Sequence, residues 1–206
     1  MTLDLVAGYA ALRHAVGAVW LPRDALKVSG PDATTYLQGQ LAQDLDPIEP
    51  GASAWSLVLQ PQGKVDALVR VTRDEDGWVL DTDGGWGPAV AERLARFRLR
   101  VKVDIEALEW RCLGLRGPDV PRLATARPAD WPGFPGVDLL GPDPAVPDGV
   151  PLVVIEAYEV ARIEAGVPVM GAELDERTIP AEAGVVECSV SFTKGCFTGQ
   201  ELVARI

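Results

Sequence analysis

Apolar and polar residues alternate through several short runs between residues 25 and 110, and a period of two predicts β-strands. "ALKVSG", "ASAWSLVLQ", "KVDALVRVT", "WVLDTD" and "LRVKVDIEAL" are these runs, and "PQG" and "DEDG" are turn signals between consecutive members. A meander of strands is expected. Two helical patterns interrupt it. "SGPDATTYLQGQL" reads as a helix with Ser29 as N-cap, Pro31 in the first turn and Asp32 three residues on, an acidic variant of a capping box. In "PAVAERLARF", Val90, Leu94 and Phe97 recur at i, i+4 and i+7 with arginines between them.

From 117 to 151 the pattern breaks into a proline- and glycine-rich stretch that still contains Trp131, Phe134 and "VDLLG". Short strands joined by long loops and packed by aromatics are expected there. "AYEVARIEAGVPVMG" follows as a helix ending near Gly166, where glycine permits a left-handed C-cap. "ELDERTIPAEAG" reads as an irregular connection. In the final stretch Thr198-x-x-Glu201 is a capping box that starts another element. The chain stops inside that element, which suggests a missing C-terminal part. The fold class expected is α+β, with antiparallel sheets and flanking helices. Three consecutive segments are read: 1–111, an α+β part; 112–160, a Pro/Gly-rich β-containing part; and 161–206, a second α+β part.

Composition narrows the function classes. Of 206 residues, 48% are hydrophobic, enough for one large domain or two small ones. With 19 basic against 30 acidic residues, the net charge of −11 argues against direct nucleic-acid binding, which draws on a surplus of Lys and Arg. The run "RLARFRLRVK" carries five basic side chains and is read as a solvated helix face entering an edge strand, with a small site for an anionic ligand tail as the other reading. No apolar run approaches the roughly 18 residues of a membrane span, and the N-terminus lacks a signal peptide's basic residues. A cytoplasmic protein without membrane attachment is expected. Cys112, Cys188 and Cys196 form no CxxC pair, so neither a disulfide framework nor a zinc site is expected. Cys112 and Cys188 sit in apolar, strand-like contexts and read as buried small hydrophobes. His14 has no partner motif, and no GxxxxGK[ST] loop occurs.

Candidate chemistry concentrates in "KGCFTGQE". With Thr198 as cap, Cys196 stands at a helix entrance, where unpaired N–H groups favour an anion, and Lys194 adds a positive charge nearby. Both favour the reactive thiolate. Gly195 and Gly199 suit unusual backbone angles or a close approach. On spacing alone, a reactive or ligating thiol and a small buried hydrophobe are both open readings for Cys196.

The stretch resembles the K-G-C-[FY]-x-G-Q-E signature of the YgfZ family, relatives of the glycine-cleavage T-protein. "SGPDATTYLQGQL", "LQPQGKVDALVRV" and "RIEAGVPVMGAELDERTIPAE" resemble further blocks of that family in the same order. The resemblance implies a T-protein-like folate-binding fold, with small domains around a central hole and a C-terminal β-barrel that is expected to be missing from these 206 residues. It implies tetrahydrofolate, or a one-carbon derivative, as cofactor. It also implies iron–sulfur client or assembly proteins as partners, and through them support of tRNA modification. The signature cysteine falls on Cys196, with Lys194, Gly195, Gly199, Gln200 and Glu201 around it. "RIEAG" sets Glu164 at the position where T-proteins hold the pterin edge. A carboxylate accepting two parallel N–H bonds is a strong, directional recognition element. "GKVDAL" retains Asp66 of a T-protein aspartate pair but has Ala67 beside it. Asp81 and Asp83 of "LDTDG" are placed at the rim of the site, and Lys64 of "PQGK" faces folate or the Cys196 loop. The alternatives are a tetrahydrofolate-dependent aminomethyltransferase and a non-catalytic folate sensor or interaction module.

Overall fold

The alternating runs become strands paired largely in antiparallel ladders. A computed structural model of the chain describes residues 2–129 and 131–203. In chain order the elements begin with β1 (Thr2–Leu3), α1 (Leu5–His14), β2 (Gly17–Leu21), β3 (Arg23–Ser29) and α2 (Ala33–Gln40). Then come β4 (Ser53–Leu59), β5 (Val65–Asp74), β6 (Gly77–Asp83), α3 (Gly87–Arg96), β7 (Asp104–Leu108) and β8 (Arg111–Arg116). The rest are β9 (Arg127–Pro128), β10 (Gly136–Gly141), β11 (Leu152–Val153), α4 (Ile155–Glu164), α5 (Val186–Ser189) and α6 (Gln200–Val203).

Two units result, each assembled from two separate stretches of chain: residues up to Pro22 with Glu109–Pro168, and Arg23–Leu108 with the residues from Val169 onward. One cut, between Leu108 and Glu109, lies close to the expected boundary at residue 111, while the cuts after Pro22 and Pro168 do not coincide with the one expected at 160. Strand pairing is the reason. β2, near the N-terminus, pairs antiparallel with β8 and parallel with β11, which ties the first residues to the Pro/Gly-rich stretch.

The first unit holds a six-stranded sheet in the order β1-β11-β2-β8-β10-β9. It is mixed: β11 runs parallel to both of its neighbours, β1 and β2. The expected antiparallel pairing covers the remaining ladders. Leu12 of α1 and Ala157 and Ala161 of α4 pack with Val19, Phe134 and Val153 in its core. Asp4 caps α1 by accepting the Ala7 N–H at 2.9 Å. Phe134, inside the Pro/Gly-rich stretch, is buried as expected. Gly166 follows α4 with φ at +69°, the left-handed geometry read from the sequence.

The second unit holds a five-stranded antiparallel sheet in the order β4-β5-β6-β3-β7. Ala67, Val69 and Val71 of β5 enter a core with Leu37 of α2 and Val90 and Leu94 of α3. Three local expectations change here. Ser29 is the last residue of β3, paired with Gly77 and Asp104, so Asp32 takes the N-cap position of α2. Its carboxylate accepts the Lys102 N–H instead of capping its own helix. Phe97 falls just after α3 and is 41% exposed, so the apolar stripe ends at Leu94. The strand expected over "LRVKVDIEAL" begins only at Asp104.

Candidate functional site

The second unit brings three of the sequence blocks together around one turn. In Gln60–Gly63, the Gly63 N–H donates to the Gln60 carbonyl, and the Gln60 N–H to the Lys64 carbonyl. A Cβ on Gly63 would stand 2.7 Å from Leu202 Cβ, and one on Gly199 would stand 2.6 Å from the Gln60 carbonyl oxygen. Both glycines have positive φ, +73° and +83°. They are needed because two backbones meet where no side chain fits. The Gln60 side chain donates to the Glu176 carbonyl at 3.0 Å, and the Val65 N–H donates to the Thr178 carbonyl at 3.0 Å. "PQGK", "DERT" and "TGQE" are thus neighbours. Lys64 is half-buried at the start of β5 beside this junction.

Left-handed Gly199 cannot be the first residue of a helix, so α6 begins at Gln200. The side chain that reaches back is therefore that of Gln200, whose amide oxygen accepts the Phe197 N–H at 3.0 Å. The Thr198 N–H donates to the Gly39 carbonyl at 3.2 Å. The Thr198–Glu201 capping box is replaced by this arrangement, and the last three residues of "QELVARI" lie outside the described residues. α6 is a single turn that starts four residues beyond Cys196.

Cys196 is exposed, as is Gly195. Their loop is tied down on both sides against the end of α2. Before the cysteine, the Ser191 N–H donates to the Ala42 carbonyl at 3.0 Å. Lys194 Nζ donates to the carbonyls of Gln43 at 2.7 Å and Leu41 at 2.9 Å, and to Gln38 Oε1 at 3.3 Å. Its ammonium therefore satisfies carbonyls at the C-terminal end of a helix, where a cation is favoured. Three acceptors match the three ammonium donors. Lys194 anchors the loop, and its hydrogen bonds go to α2 and the turn after it. Burial pulls its pKa down to about 8, opposed by the negative charges of Asp44 and Asp46.

Of the four candidate aspartates and glutamates in folded contacts, Asp81 is fully buried. It accepts Arg23 Nε at 2.6 Å and Arg70 Nε and Nη2 at 3.0 and 3.1 Å. Asp83 accepts Arg23 Nη1 at 2.8 Å and the Met170 N–H at 2.9 Å. The rim position expected for Asp81 is thus corrected: β6 is buried on both faces from Trp78 to Thr82, and the carboxylate is closed over by two arginines. Asp66 accepts Arg93 Nε at 3.1 Å and remains partly accessible. It lines a cavity of about 240 Å³ with Trp86, Val90, Arg93, Arg96 and Glu176. Arg93 is itself buried, also donating to the Leu59 carbonyl, so this part of the basic run is not a solvated face.

Glu164 belongs to the first unit, at the end of α4, with its side chain 49% exposed. Its Oε2 accepts the Tyr9 hydroxyl at 2.6 Å and pairs with Arg13 Nε at 3.3 Å. The hydrogen bond to Glu164 raises the Tyr9 pKa above its ordinary value, since ionising the phenol would surrender that donor. Cys112 is buried in β8, as read from the sequence. Cys188 lies in the one-turn helix α5 instead of a strand, where its thiol donates to the Val185 carbonyl and burial raises its pKa.

No protein-family model matches the chain. The iron–sulfur cluster assembly factor IBA57 homolog of Chaetomium globosum is 26% identical over 89% of this chain and 51% of its own length. The tRNA-modifying protein YgfZ of Edwardsiella ictaluri is 27% identical over 90% of this chain and 64% of its own. The chain is similar to proteins of the YgfZ/IBA57 type. It spans about half to two thirds of the length of these curated relatives. The aminomethyltransferase T of the glycine cleavage system from Bartonella henselae superposes with a TM-score of 0.83 at 19% identity, covering 98% of this chain and 65% of that one. That likeness shows the fold: α+β, of the T-protein type.

Around "KGCFTGQE", sequence reasoning missed the residues that receive Lys194. Gln38 is the centre of that socket. Its Oε1 accepts the Leu45 N–H at 2.9 Å and Lys194 Nζ, while its Nε2 donates to Asp44 Oδ1 at 2.6 Å. That last bond lowers the Asp44 pKa. The available signal was "LQGQ" itself, two glutamines in the last turn of a helix. Tyr9 and Arg13 carried no signal, because their partner Glu164 lies 155 and 151 residues away in sequence, and Arg93 stood out only as part of the basic run.

Proposed function

We propose that this chain is a tetrahydrofolate-binding accessory protein serving the assembly or maintenance of iron–sulfur enzymes, and through them tRNA modification, with Cys196 as its working thiol. The observation that carries the reading is the presentation of Cys196. The thiol stands exposed on a loop held on one side by the Ser191 and Lys194 bonds and on the other by those of Phe197 and Thr198. A structural cysteine is ordinarily buried, and a loop fixed on both sides of an exposed thiol suits presentation to another molecule. The relatives named for iron–sulfur cluster assembly and for tRNA modification support the same direction.

For the folate, the residues fall into two groups. Glu164 is half-exposed with Oε2 engaged by Tyr9 and Arg13, so its carboxylate is oriented and reachable, as a pterin edge requires. Asp66, with Trp86 beside it in the cavity, is reachable too. Asp81 does not fit, because its oxygens are already saturated by arginines. Folate bound to such a protein supplies one-carbon chemistry. The chain's own part would be to orient it through Glu164. Aminomethyl transfer is the less favoured reading, since Ala67, fully buried, offers no second carboxylate beside Asp66. A cytoplasmic location and iron–sulfur client proteins belong to the same proposal. No described helix is long and apolar enough to cross a membrane.

Two measurements test the proposal. In cells lacking the native gene, Cys196→Ala should fail to restore the activity of iron–sulfur enzymes that the unaltered protein restores. Full restoration would end the thiol reading. Titration with reduced tetrahydrofolate should quench tryptophan fluorescence saturably, with Glu164→Ala weakening it at least tenfold, as expected for a lost charge-assisted pair of hydrogen bonds. Equal affinity in the variant would remove Glu164 from the site.

A further inference from the structure

Between α3 and β7 the chain projects a loop of unusual composition for so acidic a protein. Arg96, Arg98, Arg100 and Lys102 fall within seven residues and contribute +4 to a net charge of −11, so the remainder sums to −15. Of the three apolar residues among them Val101 packs against the core, while two stand exposed, Phe97 at 41% and Leu99 at 80%. Such a side chain gains nothing from its own fold by standing in water.

The loop's base is built rather than loose. The Lys102 N–H donates to Asp32 Oδ2 at 2.7 Å, and Arg98 Nη1 donates to the Val103 carbonyl at 2.9 Å. The Arg93 guanidinium lies 4.0 Å from the centre of the Phe97 ring and holds it. At the tip, Arg100 takes a φ of +62°, the single described non-glycine residue in the left-handed region. Backbone strain of this kind persists where the surrounding structure enforces it, and it collects at ligand clamps. Arg96 meets Glu92 at 3.0 Å across an exposed helix turn, a pairing that water weakens, so its guanidinium can exchange partners.

We infer that this loop is a docking site for an acidic segment of a partner protein, with Leu99 as apolar anchor and Arg96, Arg100 and Lys102 as flanking cations. Charge complementarity selects the occupant. A nucleic acid or an anionic membrane spreads negative charge over an area wider than the loop, where the −15 carried elsewhere on the chain opposes approach within a Debye length of about 8 Å. A short acidic segment meets chiefly the cations, which outnumber the carboxylates of Asp32 at the loop's base and Glu92 beside Arg96. Two apolar side chains, one of them covered by Arg93, also present too little area to hold a lipid surface.

The probe is a short fluorescein-labelled glutamate-rich peptide carrying two leucines, followed by fluorescence anisotropy with the whole chain. Binding should weaken as salt rises. Leu99→Ser should weaken it about tenfold, the equivalent of burying part of one leucine, with an unchanged circular dichroism spectrum. Arg100→Gly separates function from folding: it removes a cation while relieving the left-handed backbone, so it should weaken peptide binding several-fold yet raise the urea midpoint. Equal peptide affinity for Leu99→Ser and the unaltered chain would overturn the inference. So would tighter binding to phosphatidylglycerol vesicles or to single-stranded RNA than to the peptide. A concentration-dependent dimer abolished by Leu99→Ser would put a second copy in the partner's place and overturn it as well.

Discussion

Replacing Lys194 with methionine keeps the stem and removes the ammonium. Carbonyls of Leu41 and Gln43 and the Gln38 side chain would then lose their donor in a half-buried socket. Hydrogen bonds from a charged donor contribute roughly 1.5–3 kcal/mol each, and the ammonium's desolvation cancels part of the two short ones. A net loss of about 2 kcal/mol in urea unfolding at pH 7 is expected. The pH dependence is the sharper test. In the folded chain Lys194 titrates near pH 8, whereas the unfolded chain holds the proton to about 10.5. Between those values the unfolded state binds more protons, so stability rises with pH. The neutral amine still has two donors, enough for the carbonyls of Leu41 and Gln43. The stability difference between the unaltered protein and Lys194→Met should therefore widen from pH 7 to pH 10. Urea titrations of both proteins at pH 7, 8.5 and 10 measure it. A difference that narrows would mean that the charge, not the hydrogen bonding, holds the loop, and would refute the anchor argument.

Asp81→Asn should leave the buried Arg70 guanidinium without its counter-charge, at a cost of about 3–5 kcal/mol. At roughly 2–4 °C per kcal/mol for a chain of this size, calorimetry should record a Tm about 6–20 °C lower, and an unchanged Tm would show that the network contributes little. Gly199→Ala would force a Cβ to within 2.6 Å of the Gln60 carbonyl oxygen at a φ of +83°. It should destabilise the chain by about 2 kcal/mol or more in urea unfolding, since left-handed backbone alone costs an L-residue about 1–2 kcal/mol.

The strands β3 to β6, the helix α3 and the left-handed Gly166 were legible because each is written in neighbours a few residues apart: alternation, a 3.6-residue stripe, a glycine after a helix. The resemblance to YgfZ- and IBA57-type proteins was legible too. What eluded that reading was every feature whose cause lies far along the chain. Ser29 looks like a helix cap until β6 and β7 claim it as a strand end. Lys194 looks like a thiolate's companion until Leu41 and Gln43, about 150 residues earlier, take its donors. Asp81 reads as a surface acid until Arg23 and Arg70 close on it. Local order follows from steric and periodic preferences that each residue carries along the chain. The partner of a buried charge, the parallel seat of β11 and the socket around Lys194 depend on which distant segments fold together, and single-sequence periodicity holds no record of that.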